Sequence, residues 1–143
     1  MGDDGGAPSP CDDGVPDDAA TLLPWLENGD YLGFMAESAV HDSAGPHFGD
    51  VRTYVGDCLA TSLEDGGAQH PVGAAAVKEL YGSGGTVQGW AVMVKAEPAS
   101  GGDGWYWYEW YNGSVYGGSV DDSTCRGCHA SGIDGVRSPW PLQ

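Results

Sequence analysis

Five residues near the C-terminal end, Cys125-Arg126-Gly127-Cys128-His129, carry the clearest chemistry in the chain. Their spacing is Cys-x-x-Cys-His, the attachment signature of c-type haem. Two thiols so placed can add across the two vinyl groups of one haem, while the adjoining imidazole is held against one face of the iron. Other uses of Cys-x-x-Cys fit less well. A zinc ribbon needs a second ligand pair, and the remaining cysteines, Cys11 and Cys58, are single residues at unrelated spacing. A thioredoxin-type pair opens a helix in a βαβ context, which this sequence does not supply. One haem c per chain is therefore expected, bound through Cys125 and Cys128, with His129 as the metal ligand.

Lysine is the next residue with a pointed meaning, because only Lys78 and Lys95 occur. Period two places Lys78 on one strand face with Val72, Ala74, Ala76 and Leu80, and the alanines leave room there for something flat. A buried ammonium tends to lose its proton, which makes the amine nucleophilic. The plainer alternative is a lysine near a strand end that reaches water or a haem propionate. Lys95, just ahead of Glu97-Pro98, is expected in a salt bridge or at a solvated strand end. His41 and His47 are candidate ligands, although loop histidines beside Ser and Asp are more often ordinary hydrogen-bonding residues. His70 has the same plain reading, and Met35 and Met93 are conceivable sixth ligands. Glu37, Glu79 and Glu109 are candidate proton acceptors, and alternation does not choose among them beyond turning Glu79 away from Lys78. In an oxidising compartment Cys11 and Cys58 would pair, and closing that loop is worth about 4 kcal/mol on chain-entropy grounds. Two unpaired thiols are the alternative.

The elements that must position these groups are mixed. The chain has 143 residues, enough for one domain that encloses one haem. Residues 1–18 are acidic and rich in Gly and Pro, the composition of a tail or linker that a bond at Cys11 would pin; residues 19–143 are expected to form the single haem domain. A helix begins after Asp17 or Asp18, gathers Leu22, Leu23, Trp25 and Leu26 on one side, and stops at Asn28-Gly29. A second helical stretch is expected over residues 31–40, then a loop over 41–47. A strand over 50–55 precedes a short helix capped by Asp57 and ended by Gly66-Gly67. Strands over 72–81, 86–97, 105–111 and 114–120 make a meander, with Ser83-Gly84-Gly85 and Asn112-Gly113 as turns. The aromatic run 105–111 is core that walls a haem crevice. Ser123 caps the turn that bears the haem motif, and 133–143 is an extended tail.

This order excludes two familiar haem folds. Class I cytochromes place the motif early with a methionine ligand downstream, whereas fourteen residues follow His129 here and none is Met. The cytochromes c-prime are four-helix bundles, and a β-meander is not. The formal charge of −16, from 21 acids against five bases, argues against a nucleic-acid partner. Solubility in salt is the simpler reading of that acidity. No apolar run approaches transmembrane length, so no membrane span is expected. Haem attachment to this motif takes place outside the cytoplasm. A periplasmic or otherwise exported location, with a signal peptide removed, is therefore expected.

The ordered set VGAAAVKELY, GWAVMVK, GDGWYWYEWY and CRGCH resembles the cytochrome P-460 family, which includes the cytochromes c-prime-beta. The stretch GPHFGDVRTYVGD is similar to the segment before that family's short helix, and the likeness covers roughly residues 30–142. It implies an α+β fold: a curved antiparallel β-sheet with a few short helices, often as a homodimer, and haem on a C-terminal attachment turn. By motif position Lys78 matches the lysine that forms a third covalent tether to the haem in cytochromes P-460. Arg52 is a loose match to a distal or propionate-binding arginine, and Phe48 is the nearest aromatic for a distal cap. Members with the tether oxidise hydroxylamine, with nitric oxide and nitrous oxide among the products. The c-prime-beta relatives lack it and mainly bind nitric oxide. The resemblance thus implies an open distal site for small nitrogen species and a redox partner protein. A gas-binding protein without turnover and a six-coordinate electron carrier are the alternatives, so enzymatic activity stays open.

Overall fold

A computed structural model describes residues 8–42, 47, 49–66, 68–82, 84–122, 125, 129, 132, 134–136 and 142. Cys128, Phe48 and Ser123 lie outside the described residues. Among those described, the fold is α+β, with two helices and one open seven-stranded antiparallel sheet. No helix among them is long and apolar enough to cross a membrane.

Helix α1 (Ala19–Glu27) starts as its sequence demands: the Asp18 carboxylate accepts from the Thr21 amide at 2.9 Å. It buries Leu22 and Leu26 and ends at Asn28, followed by Gly29 in the left-handed region. No helix follows over 31–40. That stretch holds turns and one short strand, β1 (Met35–Ala36), and the stretch expected as a loop opens with a second, β2 (His41–Asp42); both lie along one edge of β3 (Asp50–Val55). The Glu37 amide donates to the Thr53 carbonyl at 2.9 Å, and pairing of this kind outweighs the local helical pattern.

Helix α2 (Asp57–Glu64) then leads into the meander β4 (Ala75–Tyr81), β5 (Val87–Lys95), β6 (Trp105–Tyr111) and β7 (Ser114–Val120). The strand order is β1-β3-β4-β5-β6-β7, with β2 also on β3. Strand β4 begins three residues later than the pattern suggested, because Gly73 turns the chain with φ +97°. A Cβ there would overlap the Cys11 carbonyl oxygen. At 112–113 both φ angles are positive, as a type I′ hairpin requires.

The sheet is covered on both faces, which is why the central strand β4 is mostly apolar instead of strictly alternating. On one face, α1 packs Leu22 and Leu26 against Tyr54, Val77, Val92, Tyr106 and Tyr108. On the other, Cys58, Leu59 and Ala60 of α2 meet Ala76, Met93, Trp105 and Trp107. The C-terminal segment joins this second cluster through Cys125, Val136 and Leu142.

Part of the stretch assigned to the tail belongs to this body. Cys11 is disulfide-bonded to Cys58, its amide donates to the Val72 carbonyl, and Val15 enters the α1-side core. The cap of α2 is also not Asp57. Gly56 holds the cap position, and the Asp13 carboxylate, from the N-terminal segment, accepts from the amides of Cys58 (2.8 Å), Leu59 (3.3 Å) and Ala75 (2.9 Å). A side chain at Gly56 would collide with that carboxylate.

Candidate haem-attachment face

Strand alternation sorts the chemistry onto two faces. Val77 and Glu79 of β4 point towards α1, so Lys78 between them lies on the α2 face with Ala76 and Leu80. The register carries one level of that face across the sheet: Thr53 opposite Lys78, Lys78 opposite Ala91, Ala91 opposite Glu109, and Glu109 opposite Gly117. The neighbouring level runs Val55, Ala76, Met93, Trp107. Of the aromatic run, Trp105 and Trp107 line this face, while Tyr106 and Tyr108 pack under α1.

The motif residues come to the same face. Cys125 and His129 have helical backbone, and Cys125 packs on the Trp107 cluster. Its Sγ would lie 3.1 Å from a Cβ at position 117, so Gly117 is what lets the thiol approach the sheet so closely. The His129 ring lies against Trp107, centroids 4.6 Å apart, and 6.3 Å from the His47 ring. Its Nδ1–H donates to the Gly135 carbonyl at 2.7 Å, which puts the basic lone pair on Nε2. This is the tautomer that an iron-ligating histidine uses.

Two histidine–carboxylate pairs flank Lys78. His47 Nδ1 is 2.9 Å from Glu109 Oε1. His41 Nε2 is 2.9 Å from Glu37 Oε1, and His41 Nδ1 donates to the Asp42 carbonyl at 2.8 Å. Acceptors on both ring nitrogens favour the imidazolium. The His41 pKa is accordingly raised, first by the Asp42 carbonyl and then by Glu37, against an opposing push from the nearby Lys78 ammonium. Glu37 is buried and also accepts from the Thr53 amide at 2.7 Å. Lys78 itself is half-buried instead of deeply enclosed.

Several candidates are placed elsewhere. Glu79 is on the α1 face, where it accepts hydrogen bonds from the hydroxyls of Tyr31 (2.6 Å), Tyr54 (3.1 Å) and Tyr81 (2.6 Å). Arg52 pairs with Glu79 in register and lies over the Tyr54 ring, so it is on the α1 face too and not beside Lys78. Its Nε–H donates to the Glu37 carbonyl at 2.8 Å. Met35 is exposed at the sheet edge, whereas Met93 is buried on the α2 face. His70 is buried, with Nδ1 2.7 Å from the Ser62 hydroxyl. Lys95 is not solvated: it forms a fully buried ion pair with Asp134. Asp134 was not singled out from the sequence, although the Asp134-Gly135 dipeptide is a turn signal.

These residues fit a c-type haem. The face has small residues at Ala76, Ala91 and Gly117, a thiol and an imidazole that both have helical backbone, and an axial-type tautomer. The Trp107 Nε1–H is buried there without an acceptor among the described residues. No group of three or more His, Cys, Asp or Glu side chains able to chelate a bare ion occurs among the described residues. A haem needs only one such ligand from its attachment turn. No family model, curated protein or solved structure matches this chain.

Proposed function

We propose that this chain is an exported mono-haem c-type cytochrome that binds, and by our reading oxidises, small nitrogen species such as hydroxylamine at an open distal site. Cys125 and Cys128 would hold the haem and His129 would be its axial ligand. The observation that carries the reading is the meeting of His129, as its Nδ1–H tautomer, with Lys78 and two histidine–carboxylate pairs on one sheet face. A bound haem supplies an open iron position and an electron sink. The chain would supply proton handling: hydroxylamine releases one proton with each electron it gives up on the way to nitric oxide, and the acceptor in this reading is the His47–Glu109 pair, with the His41 imidazolium held by Glu37 as a fixed positive charge beside it. The electrons pass to an acceptor protein. The Cys11–Cys58 disulfide supports an oxidising compartment. Lys78 is the residue proposed to tether the macrocycle.

The test is the optical and mass spectrum of the exported protein, followed by turnover of hydroxylamine with an artificial acceptor. A high-spin ferric haem on the peptide bearing Cys125 that responds to nitric oxide supports the open site. A low-spin spectrum indifferent to nitric oxide would point instead to an electron carrier, and nitric oxide binding without turnover to a gas-binding protein. Haem recovered only on the Cys125 peptide, with none on that of Lys78, rules out the tether.

A further inference from the structure

We infer that the buried Lys95–Asp134 ion pair is the positioning device for His129; this rests on the haem reading above. Both side chains are wholly excluded from solvent. Lys95 Nζ donates to Asp134 Oδ2 and to the Ala99 carbonyl at 2.6 Å, and lies 5.2 Å over the Trp105 ring. Asp134 in turn gathers four separate stretches of chain. Its Oδ1 accepts from the Gly102 amide at 2.9 Å, Oδ2 from the His70 amide at 2.7 Å, and its backbone carbonyl from Trp105 Nε1 at 2.8 Å. Each of these donors is on the sheet or a loop tied to it, so the turn after the haem motif is bolted to the scaffold at one residue.

That turn is unusual in backbone terms: Asp134 and Gly135 both have left-handed φ, +47° and +83°. Asp is tolerated there at some cost, so the side-chain bonds must hold it. The next carbonyl, that of Gly135, is the acceptor of His129 Nδ1–H. Anchoring Asp134 therefore fixes the direction and polarity of the acceptor that sets the tautomer, ring orientation and basicity of the ligand. Lys95 and Asp134 touch neither substrate nor the reacting atoms; they act through Gly135 and His129.

The experiment compares wild type, Asp134→Asn and the double variant Lys95→Met/Asp134→Leu, all haem-loaded. The readouts are the iron–histidine stretching band of the ferrous protein and the midpoint potential. Asn cannot accept at both oxygens and leaves Lys95 uncompensated. The apolar double variant removes the charges together, a change that buried pairs often survive in folding. Loosening the Gly135 acceptor weakens the imidazolate character of His129. The expected result in both variants is a band shifted to lower wavenumber and a potential shifted upwards. A variant that melts earlier but keeps the wild-type band and potential would show a merely structural role and overturn the inference. Absence of haem from the wild-type Cys125 peptide would instead overturn the functional reading beneath it.

Discussion

Lys78 and Glu79 are neighbours in sequence, yet strand alternation sends them to environments with nothing in common. Glu79 is buried among three phenols, and Trp90 Nε1 donates in turn to the Tyr31 hydroxyl at 2.9 Å. Removing that acceptor strands several buried hydroxyls, so Glu79→Leu should lower stability by about 3 kcal/mol. Urea denaturation checks this, and an unchanged midpoint would mean that the phenols find other partners. Burial first, and the Glu79 carboxylate second, hold the Tyr31 and Tyr81 hydroxyls above the usual phenol range. Since the folded values exceed the unfolded one, this contribution is fully present below about pH 10 and is lost as pH rises through the folded values. Phenolate absorbance should therefore appear for these residues only together with alkaline unfolding. At His41 the sign is the same in a different window. Its raised folded value makes its contribution complete below about pH 6.5 and lost as pH rises through the folded value. Glu37→Gln should lower that value, read from the His41 ring protons by NMR.

At the scale of elements, α2 shows how a helix can borrow its start. Its own sequence offers Asp57, but the orphan amides of its first turn are met by Asp13, from a segment whose composition alone suggests a tail. Asp13→Ala should cost about 2 kcal/mol. Denaturation of the oxidised protein is the appropriate measurement, because the Cys11–Cys58 disulfide would otherwise contribute its own loss. Strand β5 makes the complementary point for the site. Ala91 stands between Lys78 and Glu109 in register and is only partly buried. A larger side chain there projects from the face proposed for the haem. Ala91→Leu should fold but carry less haem, measured as the ratio of haem to protein absorbance; full occupancy would argue against that seat.

For the whole molecule, an excess of 16 negative charges means self-repulsion in the compact state. The Debye length falls from about 30 Å at 0.01 M salt to about 3 Å at 1 M, so Tm should rise with salt over that range. A falling Tm would mean that surface ion pairs, and not repulsion, dominate. The buried Lys95–Asp134 pair is out of reach of such screening.

Much of this protein was legible in its sequence because the signals are local. The Asn112-Gly113 turn depends on two backbone angles, the strands on period two, and the start of α1 on one carboxylate three residues away. Alternation alone separated Lys78 from Glu79. Everything that required a partner far along the chain was decided by tertiary structure. Residues 31–40 lost their helical pattern to pairing with β3, Arg52 went to the face away from Lys78, and Asp13 took the cap of α2. Glu37 and Glu109 were told apart from Glu79 only by the face on which each emerges and the histidine it meets. For Lys95 the sequence left a salt bridge and a solvated strand end both open, and the choice fell to Asp134, 39 residues on, which pairs with it in the core. Motifs and periodicities are written in adjacent residues; burial and pairing depend on contacts that no local window contains.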